Sequence, residues 1–164
     1  MKSFTSIVKV SLSEVCEPIS KSKLLLGFSK LRNMQLFPDL KCLYFEQNGC
    51  TELSGLETNT KMVCLYMHEN AISKIENLNT LTALKVLNLS DNLITKVENL
   101  ENNTELDSLY LARNRIGQNG IDDLRGLLDC PSLVSLDIQN NRIDDPAVME
   151  EVFYKLPNLR VLYL

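Results

Sequence analysis

His68 is the only histidine in the chain, so any acid–base or metal chemistry near neutral pH would have to start there. With Cys42 or Cys64 it could form a thiol–imidazole pair, in which the ring takes the thiol proton and frees a nucleophile. That chemistry also needs donors set around an oxyanion, and nothing in the sequence implies them. A metal site needs three or four converging ligands. The spacing of the chain brings only Cys42, Cys64 and Glu46 near His68, on a shallow surface. None of the five cysteines (Cys16, Cys42, Cys50, Cys64, Cys130) forms a CxxC or CxxxC pair. No P-loop and no GxGxxG is present. The adjacent carboxylates Asp122–Asp123 and Glu150–Glu151 read as helix starts or solvated helix faces. No catalytic group, cofactor or metal is therefore expected.

What positions these residues is an internal repeat. Leu40, Met62 and Leu84 open three stretches at a spacing of 22: LKCLYFEQNGCTELSGL, MVCLYMHENAISKIENL and LKVLNLSDNLITKVENL. A fourth opens at Leu106 and a fifth at Leu133, with lengths grown to 27 and 26 residues, and a sixth, LRVLYL from Leu159, stops at Leu164. The shared pattern is L-x-x-L-x-L-x-x-N-x-I, the leucine-rich-repeat signature.

Each position has a physical reason. The x-L-x-L stretch alternates apolar and polar, which gives a short strand with one buried face. The buried pairs are Leu43/Phe45, Leu65/Met67, Leu87/Leu89, Leu109/Leu111 and Leu136/Ile138. The Asn that follows can satisfy backbone groups left unpaired inside the turn. Stacked repeats should form an asparagine ladder of Asn48, Asn70, Asn92, Asn114 and Asn141, a structural role rather than a functional one. One repeat cannot bury its own apolar face, so neighbours must stack.

The expected fold class is α/β: a leucine-rich-repeat solenoid with a parallel β-sheet on its concave face. On the convex side the 22-residue repeats leave room for 3₁₀ or irregular turns, carrying Leu53/Leu56, Ile75/Leu78 and Val97/Leu100. The longer repeats have room for short helices. Ile121, Leu124, Leu127 and Leu128 sit at helical spacing, and Asp144-Asp145-Pro146 reads as a helix start with an Asp N-cap. Val148, Met149, Val152, Phe153 and Leu156 supply the apolar face of that helix.

Residues 24–164 form the repeat domain: a degenerate half repeat, five repeats and a truncated sixth. Counting back 22 from Leu53 and Leu56 places Leu31 and Met34 as buried positions, and from Cys50 it places Phe28. Leu24-Leu25-Leu26 could be an edge strand or part of a helix, with register favouring the strand. Residues 1–23 are expected to cap the open core. The chain stops on the last strand residue of a repeat, so a piece of a longer protein is expected.

The residue between the two strand leucines points out of the concave face. Down the stack this column reads Tyr44, Tyr66, Asn88, Tyr110, Asp137 and Tyr163, and it holds four of the five tyrosines. At about 4.8 Å per strand it spans roughly 24 Å. Tyrosine offers contact area and a polar tip with little entropy to lose, so the column reads as a partner-binding surface. Cys42, Cys64, Val86, Ser108, Ser135 and Val161 flank it on one side; Glu46, His68, Ser90, Ala112 and Gln139 flank it on the other. His68 joins the candidate partner-binding set. Asp137, Asp107, Glu69 and Asp91 add acidic character that suits a basic segment.

Charge and composition agree with a protein partner. Residues 39–164 carry eleven Lys/Arg against nineteen Asp/Glu, a net of −8, whereas residues 1–38 carry a net of +4. An acidic body argues against nucleic acid, whose binding rests on a basic face. No run of 18 apolar residues suggests a membrane span, and Met1–Leu12 lacks the apolar core of a secretory signal. A cytoplasmic location with reduced thiols is expected.

The 22-residue repeats ending in IENL and VENL resemble a leucine-rich-repeat subclass that includes the type-1 phosphatase regulatory subunit, the spliceosomal A-prime protein, an outer-arm dynein light chain and the dynein axonemal assembly factors. Gly27-Phe28-Ser29-Lys30-Leu31, the stretch LKCLYFEQNG from Leu40, Ile143-Asp-Asp-Pro146 and Leu156-Pro-Asn-Leu-Arg-Val-Leu162 are most similar to the assembly factors, over about residues 24–164. That resemblance implies a non-catalytic cytoplasmic scaffold for pre-assembly of axonemal dynein arms, with a dynein heavy or intermediate chain or a co-chaperone as partner. Residues 1–23 depart from the pattern. The other members of the subclass imply a phosphatase regulator or an axonemal light chain in the cilium instead.

Overall fold

Six three-residue strands stack in sequence order as one parallel sheet: β3 (Cys42–Tyr44), β4 (Cys64–Tyr66), β5 (Val86–Asn88), β6 (Ser108–Tyr110), β7 (Ser135–Asp137) and β8 (Val161–Tyr163). They come from a computed structural model that describes residues 30–164 in full. It also describes the backbone of two earlier strands, β1 (Cys16–Pro18) and β2 (Phe28–Leu31).

The register is that of the repeat. Leu43, Leu65, Leu87, Leu109, Leu136 and Leu162 pair strand by strand, and so do the residues on either side of them. Beyond the strands from β3 to β7 the ladder continues, as in Phe45 N–H to the Tyr66 carbonyl at 2.8 Å followed by Gln47 N–H to the His68 carbonyl at 3.1 Å. The middle residue of each strand from β3 to β7 is buried while its neighbours remain at least partly open. A period-2 alternation does this: one face of the pleat meets the core and the other does not.

The core is a continuous column of aliphatic side chains between the sheet and the returning segments. Leu53, Leu56, Ile75, Leu78, Val97 and Leu100 close it on the convex side, all but inaccessible to solvent. Each fully buried leucine or isoleucine contributes on the order of 1.5–3 kcal/mol of transfer free energy. That sum accrues only when a neighbouring repeat covers it. Leu31 and Met34 are buried, as their register positions require.

Three residues past the end of each of β3 to β7 one residue takes a left-handed conformation: Gln47, Glu69, Asp91, Arg113 and Asn140, with φ between 54° and 58°. Non-glycine residues rarely adopt this region. Here it turns the chain so that the ladder asparagine on the next position faces inward.

The convex side departs from expectation in the fourth repeat. Ile121, Leu124, Leu127 and Leu128 do not lie on one helix; two 3₁₀ turns, Gly120–Asp123 and Arg125–Asp129, stand there. Ile121, Leu124 and Leu127 are three apart, which matches the 3.0-residue period of a 3₁₀ turn. Leu128, which only an α-helix would turn inward, is exposed. The buried Asp123 carboxylate holds the preceding loop by accepting the amides of Gly117 (3.2 Å) and Asn119 (2.9 Å). The fifth repeat carries an α-helix, α1 (Ala147–Glu151), followed by a 3₁₀ turn at Phe153–Lys155. The Asp145 carboxylate accepts the Ala147 amide at 2.9 Å ahead of it, so the expected Asp cap is in place. Val148, Val152, Phe153 and Leu156 are buried and Met149 packs against them.

β1 and β2 pair antiparallel as a separate two-stranded sheet, Cys16 opposite Leu31 and Pro18 opposite Phe28. The strand expected at Leu24-Leu25-Leu26 and most of the expected cap lie outside the described residues.

Candidate functional site

The asparagine ladder is built rung by rung. Asn92 Nδ2 donates to the carbonyls of Met67 (3.0 Å), Leu89 (3.0 Å) and Ser90 (3.1 Å), while its Oδ1 accepts the Ile72 amide at 3.0 Å. Asn70, Asn114 and Asn141 repeat this arrangement, with Oδ1 accepting Cys50, Ile94 and Ile116. Each therefore ties its own turn to the repeat before it. Among the described residues Asn48 makes one local bond, to the Glu46 carbonyl at 2.8 Å. All five are committed to backbone; none presents its amide to a ligand.

Two further asparagine sets do similar work, and sequence reasoning did not single them out. Asn59 Nδ2 reaches the carbonyls of Met34 and Phe37, and Asn103 reaches those of Leu78 and Leu81; both are fully buried. Asn77 and Asn99, each with φ 59°, reach back to the carbonyls of Leu53 (2.7 Å) and Ile75 (2.6 Å). The equivalent positions in neighbouring repeats are Gly55 and Gly126. Their backbones press so close to the carbonyls of Leu31 and Val97 that an added Cβ would sit 2.8 Å and 2.3 Å away. One column thus satisfies or approaches the previous repeat's carbonyl throughout. The signal was in the sequence as the Asn of the IENL and VENL motifs.

The tyrosine column is in register as expected: Tyr44, Tyr66, Asn88, Tyr110, Asp137 and Tyr163 are successive partners across the sheet. Tyr44 and Tyr163 are about half exposed, and the four between are partly covered by their neighbours. Tyr44 and Tyr66 stack face to face, with ring centroids 4.7 Å apart and planes 1° from parallel. Asn88 and Asp137 lean back to their own strands. Asn88 Oδ1 accepts the Ser90 amide at 3.0 Å and Asp137 Oδ1 accepts the Gln139 amide at 3.2 Å.

The flanks differ from each other. Cys42 and Cys64 are in-register neighbours, half-buried and reduced. Burial, then the hydrogen bond with Cys42, pushes the Cys64 thiol up to about 11. The same two thiols raise the phenols above them: for Tyr44 the Cys42 charge is the main cause, and for Tyr66 burial is, followed by Cys64. The Cys64 thiol and the two phenols therefore keep their protons at physiological pH. On the other flank Ser90 and Ala112 are buried, so only Glu46, His68 and Gln139 open to solvent there. His68 Nδ1 and Glu46 Oε2 are buried atoms without a hydrogen-bond partner. Among the described residues no three of His, Cys, Asp and Glu converge as metal ligands would.

The acidic residues do not all remain free. Arg113 forks onto Asp91, with Nη2 2.6 Å from Oδ2, and this pair holds the Asp91 carboxyl below its ordinary range. Glu69 accepts from Gln47 at 3.1 Å, and Asp107 accepts the Ser108 hydroxyl at 2.7 Å.

A parallel sheet of one strand per repeat, a rung of asparagines under it and short turns behind it decide the architecture, and known structures share it. An internalin (inlF) of Listeria monocytogenes matches with a TM-score of 0.73 and 25% identity, over 84% of this chain and 38% of that one. A leucine-rich-repeat protein of Leptospira interrogans matches with a TM-score of 0.72 and 19% identity, over 82% of this chain and 34% of that one. The fold is a leucine-rich-repeat solenoid. In sequence, 44 residues are 39% identical to the leucine-rich repeat-containing protein ODA7 of Chlamydomonas reinhardtii, which is 27% of this chain and 10% of that protein. The match thus spans about a tenth of the relative's length. No family model matches the chain. Among the described residues no helix is long and apolar enough to cross a membrane.

Proposed function

We propose that this solenoid is a non-catalytic scaffold that binds a protein through its concave sheet. The observation that carries the reading is the tyrosine column: four aromatic side chains in one register line, on the face the fold leaves open. Such residues give large contact area at low entropy cost and are enriched where binding energy concentrates. His68, Asn88 and Asp137 line the same face as polar contacts.

The process served is pre-assembly of axonemal dynein arms in the cytoplasm, for cilia or flagella. This reading is supported by the resemblance to the assembly factors and by the stretch similar to ODA7. The partner is then a dynein heavy or intermediate chain or a co-chaperone. The test is affinity purification of the tagged chain from ciliated cells, with and without Tyr66→Ala/Tyr110→Ala. Dynein chains or their chaperones should be recovered by the native protein, and recovery should fall at least about tenfold with the double variant. Recovery of the type-1 phosphatase catalytic subunit in their place would favour the regulatory-subunit reading. A chain that stays with detergent-extracted axonemes would favour the light-chain reading.

A further inference from the structure

We infer that Tyr110, Asp137 and Tyr163 form a slot for one cationic side chain, an arginine or lysine of the bound protein. The inference deepens the reading of the concave face as a protein-binding surface by naming the group it grips. The column is uneven. Tyr44 and Tyr66 lie on adjacent strands and close on each other at 4.7 Å, which leaves no space between the rings. Tyr110 and Tyr163 lie two strands apart, with Asp137 between them in register. Two strand spacings are about 9.6 Å, so a cation midway is about 4.8 Å from each ring. That is inside the roughly 6 Å at which a guanidinium or ammonium is attracted to an aromatic face.

The floor of the slot supplies the charge. Asp137 Oδ1 is held by the Gln139 amide at 3.2 Å, which fixes the carboxylate on the strand. No Lys or Arg is paired with Asp137 among the described residues. Arg113 is the cation that feels its charge, and that guanidinium is already forked onto Asp91. The next gap, between Tyr66 and Tyr110, has the neutral Asn88 as its floor. Only one of the two open gaps therefore offers two rings and a negative charge together. The −8 balance of residues 39–164 favours a cationic visitor at longer range as well.

The probes are N-acetyl-arginine methylamide and its uncharged citrulline counterpart, titrated into the 164-residue chain carrying ¹³C-labelled tyrosine rings. Arginine should shift the Tyr110 and Tyr163 rings saturably and leave Tyr154, on the convex turn, unmoved. Citrulline should bind at least about tenfold more weakly. Asp137→Asn, which keeps the shape and the bond to Gln139, should weaken arginine similarly. Tyr163→Phe should retain arginine binding and Tyr163→Ala should lose it, while Glu101→Gln on the convex face should change nothing. Equal binding of arginine and citrulline, indifference to Asp137→Asn, or the same shifts produced by calcium chloride would overturn the slot. If arginine and citrulline are equal but partner recovery still falls with Tyr66→Ala/Tyr110→Ala, the slot fails and the binding face stands. If arginine binds as expected and recovery is unchanged, the binding-face reading fails and the slot stands.

Discussion

Asn92 makes four hydrogen bonds through one buried amide: it accepts the Ile72 amide and donates to the carbonyls of Met67, Leu89 and Ser90, which also accept from Asn70, Asn114 and the Glu69 amide. Replacing it with Ala strands the Ile72 amide away from water and takes one bond from each of the three carbonyls. Unpaired buried groups cost about 1–3 kcal/mol each when nothing relaxes, so Asn92→Ala should lose roughly 2–4 kcal/mol. Asn48→Ala removes one local bond at a half-exposed turn and should lose less than about 1 kcal/mol. Urea unfolding of the two variants tests the contrast; equal losses would mean that the ladder does not bear on stability. The thiols make a pH statement. Burial, with a smaller push from Asp129, raises Cys130 to about 12, against 9.0 for an ordinary thiol. Below pH 9 both folded and unfolded chains keep the proton and the contribution is present in full. Between about 9 and 12 the unfolded chain ionises first, so stability is lost as pH rises. The urea midpoint should fall from pH 8.5 to 10.5, and fall less in Cys130→Ala. At this scale the sequence was most legible where a residue repeats. The ladder and the column follow from spacing alone. The Tyr44–Tyr66 stack and the inward lean of Asn88 and Asp137 depend on rotamers, which spacing does not encode.

The strands are short because a left-handed turn follows within three residues of each strand's end, and the element between strands decides the rest. On the convex side one column must meet the previous repeat's carbonyl, and it does so in two ways. Asn99 reaches it with an amide at φ 59°; Gly126 lets the backbone come so close that a Cβ would lie 2.3 Å from the Val97 oxygen. Gly126→Ala should therefore be severe, on the order of 2–4 kcal/mol, since backbone must move. Asn99→Gly keeps the left-handed turn and loses one bond, about 1 kcal/mol. Thermal melts of the two variants check this; a harmless Gly126→Ala would contradict the close approach. The helix expected over Ile121–Leu128 shows the limit of pattern reading. Positions three apart fit both a 3₁₀ and an α period. Only the exposure of Leu128 separates them, and exposure is a property of the packed repeat. The helix at Ala147–Glu151 was legible because Asp145 and Pro146 mark its start chemically as well as by period.

A solenoid distributes stability through nearest neighbours, so its whole-molecule properties are a stack, a curvature and an open face. The buried side is uniform: a leucine-type column with asparagine rungs. The open side is not, and the proposed binding role rests on that variation. Acidic charge gathers on residues 39–164, while Arg113 neutralises Asp91 and leaves Asp137 unpaired among the described residues. The fold and register of the face could be read from the repeat. Which side chains remain available on it could not, because pairing between columns sets that. The central claim, that this face exists to hold a protein, meets its most direct test in one comparison. Native chain and Tyr66→Ala/Tyr110→Ala are purified from the same ciliated cells, and circular dichroism melts of both are recorded. The account requires partner recovery to fall at least about tenfold with the melting temperature little changed, since both rings lie on the open face. Undiminished recovery from a folded double variant would contradict it.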